Sequence, residues 1–139
     1  PRMFEESAAQ LVKHLEHPNG WWRDMAQQLL VLKKDLSVVP QLNRMALKHK
    51  SLTTRFHAIW TLEGLGALSV KTTQKLLKDT NPRLRIQALR ASETLYKNGD
   101  KTKAIETQQK AISHLKEEED PGGYMEMNDV LKRMQNGSY

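Results

Sequence analysis

Apolar residues along this chain recur at spacings of three and four, and no stretch alternates as a half-buried strand would. That spacing predicts helices, and the turn residues set them in pairs. The first pair covers Phe4 to Glu16 and Trp21 to Lys34 around His17-Pro18-Asn19-Gly20, because proline disfavours helix in the residue before it and Asn-Gly favours a turn. The second covers Val38 to His49 and Leu52 to Leu65, with Ser51 as N-cap, Gly64 and Gly66 at the far end, and Pro40 tolerated in a first turn. The third covers Val70 to Lys78 and Arg83 to Lys97 around Asp79-Thr80-Asn81-Pro82, and Asn98-Gly99 closes it. A fourth pair is looser: Thr102 to Glu118, a break at Asp120-Pro121-Gly122-Gly123, then Tyr124 to Gln135.

Laid over these pairs is a pattern written three times, Arg-x-x-Ala with a leucine eight residues before the arginine. Leu15 precedes Arg23-Asp24-Met25-Ala26, Leu47 precedes Arg55-Phe56-His57-Ala58, and Leu77 precedes Arg85-Ile86-Gln87-Ala88. The arginines stand 32 and then 30 residues apart, the length of two short antiparallel helices. The chain therefore reads as a helical-repeat solenoid. The expected fold is all-α, an α-α superhelix of about four antiparallel helix pairs. It forms one domain over 1–139, with units at about 4–34, 36–66, 69–97 and 101–135. One such unit cannot bury its apolar face alone, whereas stacked units share a core and offer an extended surface suited to binding. The fourth unit lacks Arg-x-x-Ala and reads as a divergent repeat or a terminal cap.

Counted from each arginine, positions −1, +3, +7 and +10 share a stripe at about 100° per residue. They read Trp22, Ala26, Leu30, Lys33, then Thr54, Ala58, Leu62, Leu65, then Leu84, Ala88, Ser92, Leu95. This mostly apolar stripe, small at +3, is expected to face the paired helix and makes Trp22 a core residue. The opposite stripe reads Asp24, Gln28, Val31, then Phe56, Trp60, Glu63, then Ile86, Arg90, Glu93, and is expected outward or against a neighbouring unit.

With 139 residues, 38% of them hydrophobic, the chain can build one domain with a sizeable core and not two. No apolar run approaches about 18 residues and no signal-peptide pattern opens the chain, so no membrane span is expected. The start at Pro1, the end at Asn136-Gly137-Ser138-Tyr139 and the lack of a polar capping repeat suggest a piece of a longer polypeptide. The chain contains no cysteine. Disulfides, thiolate metal sites, thiol nucleophiles and c-type haem attachment within it are excluded, while the compartment stays open.

Net charge is +6, concentrated in the middle. From Leu36 to Ser92 ten bases face two acids, Glu63 and Asp79, a local charge of +8, whereas Glu117 to Asp129 holds six acids and no base. A basic middle suits an anionic partner such as nucleic acid or phospholipid. Equally, it is what a solvated face of a lysine-rich protein looks like.

Candidate chemistry is sparse. Trp21 falls in what reads as a two-residue expansion of the turn relative to the third unit, and an exposed tryptophan at a helix start can anchor a partner or cap a stack. Phe56 and Trp60 make an aromatic pair one turn apart on the non-core stripe, available for inter-repeat packing or for a ligand. Arg23, Arg55 and Arg85 are placed to form a structural ladder with Asp24, Glu63 and Asp79, since arginine–carboxylate pairs suit that task. His14 and His17 stand three apart without a third ligand at a diagnostic spacing, so no metal is expected. Gly64-Leu65-Gly66 lacks the remaining glycine and the strand of a dinucleotide fingerprint. No catalytic constellation, cofactor site or metal motif emerges, and the expectation is a domain that is not an enzyme.

Two runs are more specific than a generic repeat: His17-Pro18-Asn19-Gly20-Trp21-Trp22-Arg23-Asp24, continuing to Leu29-Leu30-Val31, and Ala58-Ile59-Trp60-Thr61-Leu62-Glu63-Gly64-Leu65-Gly66-Ala67-Leu68. With Asn81-Pro82 and Arg85-Ile86-Gln87-Ala88-Leu89-Arg90, they resemble the HEAT-like segment of large exported bacterial proteins of the membrane-bound dehydrogenase-like or haem-binding kind. The resemblance covers about residues 8–97. In that family a sugar-dehydrogenase-like β-propeller precedes the HEAT segment and a c-type cytochrome domain follows it. This chain has neither Cys-x-x-Cys-His nor a propeller's repeated strands, so the resemblance implies the helical spacer between those parts.

The resulting expectation is a non-catalytic scaffold or protein-interaction module, monomeric, in the periplasm or cell envelope, and cytoplasmic if the resemblance fails. Its partners would be other domains of the same polypeptide or an envelope protein. The alternative is a HEAT-like protein that binds nucleic acid through its basic middle, as HEAT-like DNA glycosylases cradle DNA.

Overall fold

The computed structural model describes residues 2–97, 105, 106, 109 and 121–137. The described residues contain helices and turns and no strand, so the fold class is all-α. The chain divides into two compact units, Pro1–Leu68 and Ser69–Tyr139.

The first unit opens with a 3-10 turn at Met3–Glu5, followed by α1 (Ala8–His14) and α2 (Gly20–Lys33). A second 3-10 turn at Leu36–Val38 leads into α3 (Val39–Lys48) and α4 (Leu52–Gly64). The expected first helix from Phe4 is thus broken, for a local reason. Glu6 is extended, and Ser7 and Gln10 form a capping box: Ser7 Oγ accepts from the Gln10 amide at 3.3 Å while Gln10 Oε1 accepts from the Ser7 amide at 2.8 Å. α2 ends on Lys34 in the left-handed region, φ 52°. Pro40 sits in the first turn of α3, where its missing N–H costs nothing.

α1 packs on α2, α3 on α4, and α2 on α4. Two helix hairpins are therefore joined through their second helices. Their core holds Leu11, Val12 and Leu15, Ala26, Leu29 and Leu30, Leu42, Met45 and Ala46, and Ala58, Ile59 and Leu62. Gly64 marks the close approach of α2 and α4: a Cβ built there would lie 2.6 Å from Val31 Cγ2.

The second unit contains α5 (Val70–Leu76), α6 (Pro82–Lys97) and α7 (Pro121–Gln135). α6 packs on both α5 and α7. Leu76, Leu77, Leu84, Ala88, Leu89 and Ala91 are buried, as are Val130 and Met134, four residues apart on α7. Arg133 reaches Glu93 at 3.7 Å. Buried hydroxyls find partners on their own helices: Thr73 Oγ1 donates to the Ser69 carbonyl at 2.9 Å and Ser92 Oγ to that of Leu89 at 2.6 Å. The break expected at Pro121-Gly122-Gly123 is instead the first turn of α7, since proline's fixed φ suits a helix start. The helix expected over Thr102 to Glu118 lies largely outside the described residues.

The inward stripe is buried at Ala26, Leu30, Thr54, Ala58, Leu62, Leu84, Ala88 and Ser92. Three positions depart from it, among them Leu65, which is half-buried just past the end of α4. Lys33 is exposed, because α2 ends there, and Trp22 is half-buried rather than core. The Leu95 side chain lies outside the description.

Candidate functional site

The three arginine motifs fold into one local device, built in three layers. The residue six before each arginine accepts a hydrogen bond from the amide two residues on: His17 Nδ1 from Asn19 at 3.1 Å, His49 Nδ1 from Ser51 at 3.0 Å, and Asp79 Oδ1 from Asn81 at 2.9 Å. Each of those second residues then caps the following helix. Asn19 Oδ1 accepts from the Trp21 amide at 2.9 Å, Ser51 Oγ from Thr54 at 3.3 Å, and Asn81 Oδ1 from Arg83 at 2.9 Å.

The arginine closes the device by reaching back to two backbone carbonyls: those of the last turn of α3 for Arg55, and those of the connecting turn for Arg23 and Arg85. Arg23 Nη1 donates to the His17 and Pro18 carbonyls at 2.6 and 2.8 Å. Arg55 Nε donates to Ala46 at 2.8 Å and its Nη2 to Leu47 at 3.2 Å. Arg85 Nη1 donates to Asp79 at 2.8 Å and Thr80 at 3.4 Å. A planar cation with several fixed donors suits two carbonyls at once. Arg55 thus ties α4 to α3, whereas Arg23 and Arg85 tie α2 and α6 to the turns that precede them. Asp24, expected in the ladder, lies beside His57 with Oδ1 3.9 Å from Nε2. Glu63 is half-buried near the end of α4.

The cap-to-arginine spacing is four residues in all three turns, so the expansion expected at Trp21 does not exist. Trp21 is exposed, at 51%, for a different reason. It occupies the first-turn position that Thr53 and Arg83 occupy in the other hairpins, and both of those are exposed too.

Trp21 and Trp22 meet edge to face, with centroids 6.0 Å apart and planes at 88°. His17 stacks on Trp22 at 4.9 Å and 21°, and His14 lies against it at 5.1 Å. His14 Nε2 in turn pairs with Glu6 Oε2 at 2.7 Å. The two histidines therefore flank an indole rather than a shared ligand position. Among the described residues no group of three or more His, Cys, Asp or Glu could hold a metal ion. Phe56 and Trp60 are half-buried on α4, whereas Trp21 stands with Trp22 at the start of α2.

Two further features bear on partners. A shallow open groove of about 360 Å³ runs along α3, lined by Gln41, Arg44, Met45, Lys48 and His49. Neither α3 nor α5 contains an acidic residue, and Arg44, Lys48, Lys71, Lys75 and Lys78 are exposed. No helix among the described residues is long and apolar enough to cross a membrane.

His57 was not singled out by its sequence. It lies on α4 against α2, with Arg23 Nε 3.4 Å from its Nε2 and Gln27 Oε1 2.8 Å from its Nδ1. Burial holds its pKa below the ordinary 6.5; Asp24 opposes that effect and Arg23 adds to it. No helical periodicity could have found it, because its partners are 30 and 34 residues away.

The chain was compared with protein-family models, with curated proteins and with solved structures, and matches none of them.

Proposed function

We propose that this chain is a non-catalytic, HEAT-like scaffold, a stack of about four helix pairs forming an α-α superhelix that binds other proteins. The observation that carries this reading is the turn built three times from the same three layers of hydrogen bonds, at Arg23, Arg55 and Arg85. A chain that repeats its turn chemistry repeats its hairpin, and hairpins with unsatisfied apolar faces stack. The packing of α2 on α4 supplies one such stacking step.

In this reading Trp21, Phe56 and Trp60 offer aromatic surface to a partner, since indole and phenyl rings contribute large contact area at little entropic cost. The domain carries no cofactor, works as a monomer, and serves as the spacer or docking segment of a larger exported protein of the dehydrogenase-like or haem-binding kind. Its place is the periplasm or cell envelope on that resemblance, and the cytoplasm without it.

A second reading, nucleic-acid binding, is favoured by the exposed cations of acid-free α3 and α5. Salt separates the two readings. Phosphate-driven binding falls steeply as salt rises, because it depends on counterion release, whereas burial of aromatic surface does not. Titrating labelled duplex DNA is expected to show weak binding that is lost by about 150 mM salt. Submicromolar binding that survives that salt and falls on replacing Lys71, Lys75 and Lys78 would install nucleic acid as the partner.

A further inference from the structure

The seam between α2 and α4 holds a polar network that partner binding does not require. At its centre is His57, whose side chain is 15% exposed. Arg23 Nε donates to its Nε2 at 3.4 Å. A guanidinium has no acceptor, so Nε2 must be the unprotonated nitrogen. Nδ1 then carries the single proton of the neutral ring, and the only group it can satisfy at 2.8 Å is an acceptor, the Gln27 amide oxygen. If Gln27 turned its amide nitrogen toward the ring, both ring nitrogens would have to accept, which a neutral imidazole cannot do. A neutral ring with its proton on Nδ1 therefore satisfies both contacts from α2 at once.

Both charged groups facing His57 come from α2. Arg23 is one, and Asp24, 67% exposed with Oδ1 at 3.9 Å from the same Nε2, is the other. Just past the end of α3, the other helix packed on α4, His49 is turned to Glu16 at 3.5 Å and to the Ser51 amide. Asp24 and Arg23 compete for one nitrogen in opposite protonation states. The arginine needs a lone pair there and the carboxylate needs a proton.

We propose that His57 is a pH-operated latch on the α2–α4 seam, closed while its neutral Nε2 accepts from Arg23 and released when a proton from solvent occupies Nε2 and redirects it to Asp24. Release removes a cross-helix bond, sets imidazolium beside guanidinium, and replaces a half-buried contact with an exposed one. Arg23 keeps its Nη1 grip on the His17 and Pro18 carbonyls, so the turn persists while the seam loosens. The direction of the pH effect follows from burial. The folded chain resists the proton to a pH below 6.5, so stability is complete above that value and is lost as pH falls toward the folded pKa.

The test uses the full chain with isotope-labelled histidine. Long-range nitrogen–proton correlation spectra at about pH 7.5 read the tautomer, and following the His57 ring down to about pH 5 gives its midpoint. The expected results are the Nδ1–H tautomer, a midpoint below that of a free imidazole, and a lower midpoint still in Asp24→Asn, which removes the group that welcomes the proton. Amide exchange along α2 and α4, corrected for its intrinsic pH dependence, should speed up once His57 is protonated. In His57→Gln, the loss of melting temperature between about pH 7.5 and 5.5 should be smaller than in the parent. An Nε2–H tautomer at neutral pH, an unshifted or raised midpoint, no response to Asp24→Asn, or seam exchange indifferent to His57 protonation would each overturn the latch.

Discussion

Arg55 gives the sharpest view of the repeated turn, because its two bonds leave from different nitrogens and reach two successive carbonyls, Ala46 at 2.8 Å and Leu47 at 3.2 Å. Replacing it with methionine keeps most of the aliphatic stem in place and deletes only the charged fork. A hydrogen bond involving a charged group contributes about 1.5–3 kcal/mol net, and two from one side chain add incompletely, so the expected loss is roughly 2–4 kcal/mol. At about 4 °C per kcal/mol for a chain of this length, the melting point should fall by roughly 8–16 °C. Arg55→Lys should recover only part of that, because an ammonium is a point donor and cannot bridge both carbonyls. Thermal and urea unfolding followed by helical circular dichroism read both variants. If Arg55→Met unfolds within about 0.5 kcal/mol of the parent, or if lysine restores it fully, the fork is not what joins the two helices of the hairpin.

Ala58 and Ala88 are fully buried at the same position of their helices, so Ala58→Leu and Ala88→Leu should each cost roughly 1–3 kcal/mol by overpacking. Parent-like melting of both would discard the inward stripe. Gly64→Ala should destabilise by about 1 kcal/mol through its collision with Val31, and adding Val31→Ala should remove the interaction part of that loss; a double-mutant cycle with no coupling would refute the close approach. On the pH axis, stability should be flat above about pH 6.5 and decline below it, with His57→Gln flattening the decline, as equilibrium unfolding at several pH values will show.

Helix pairing was legible in the sequence because its signals are local. Pro18, Asn19, Ser51 and Asn81 act through their own backbone or an amide two or three residues away, and the structure keeps the corresponding helix starts. The inward stripe was legible because a period of 3.6 is written in the residues themselves. That the arginines also hold backbone carbonyls was not legible. A sequence displays side chains and not free carbonyls, so it offers only carboxylates as partners for the guanidinium groups. The acceptor six residues before each arginine escaped for a related reason, since His17, His49 and Asp79 differ in type yet present the same lone pair to the same amide. Pro121 reads as a breaker or as a helix start depending on what surrounds it, and Trp22 reads as core until His14 and His17 are seen to cover it only in part. His57 depends on contacts across more than thirty residues, or just thirty for Gln27, which no local pattern encodes.

The repeated turn is tested most directly by making Arg23→Met, Arg55→Met and Arg85→Met singly and following their unfolding by helical circular dichroism. The expected result is a loss of similar size for each, roughly 2–4 kcal/mol, because each guanidinium donates to two backbone carbonyls. A variant that unfolds like the parent while another loses that much would contradict a turn built three times on one plan.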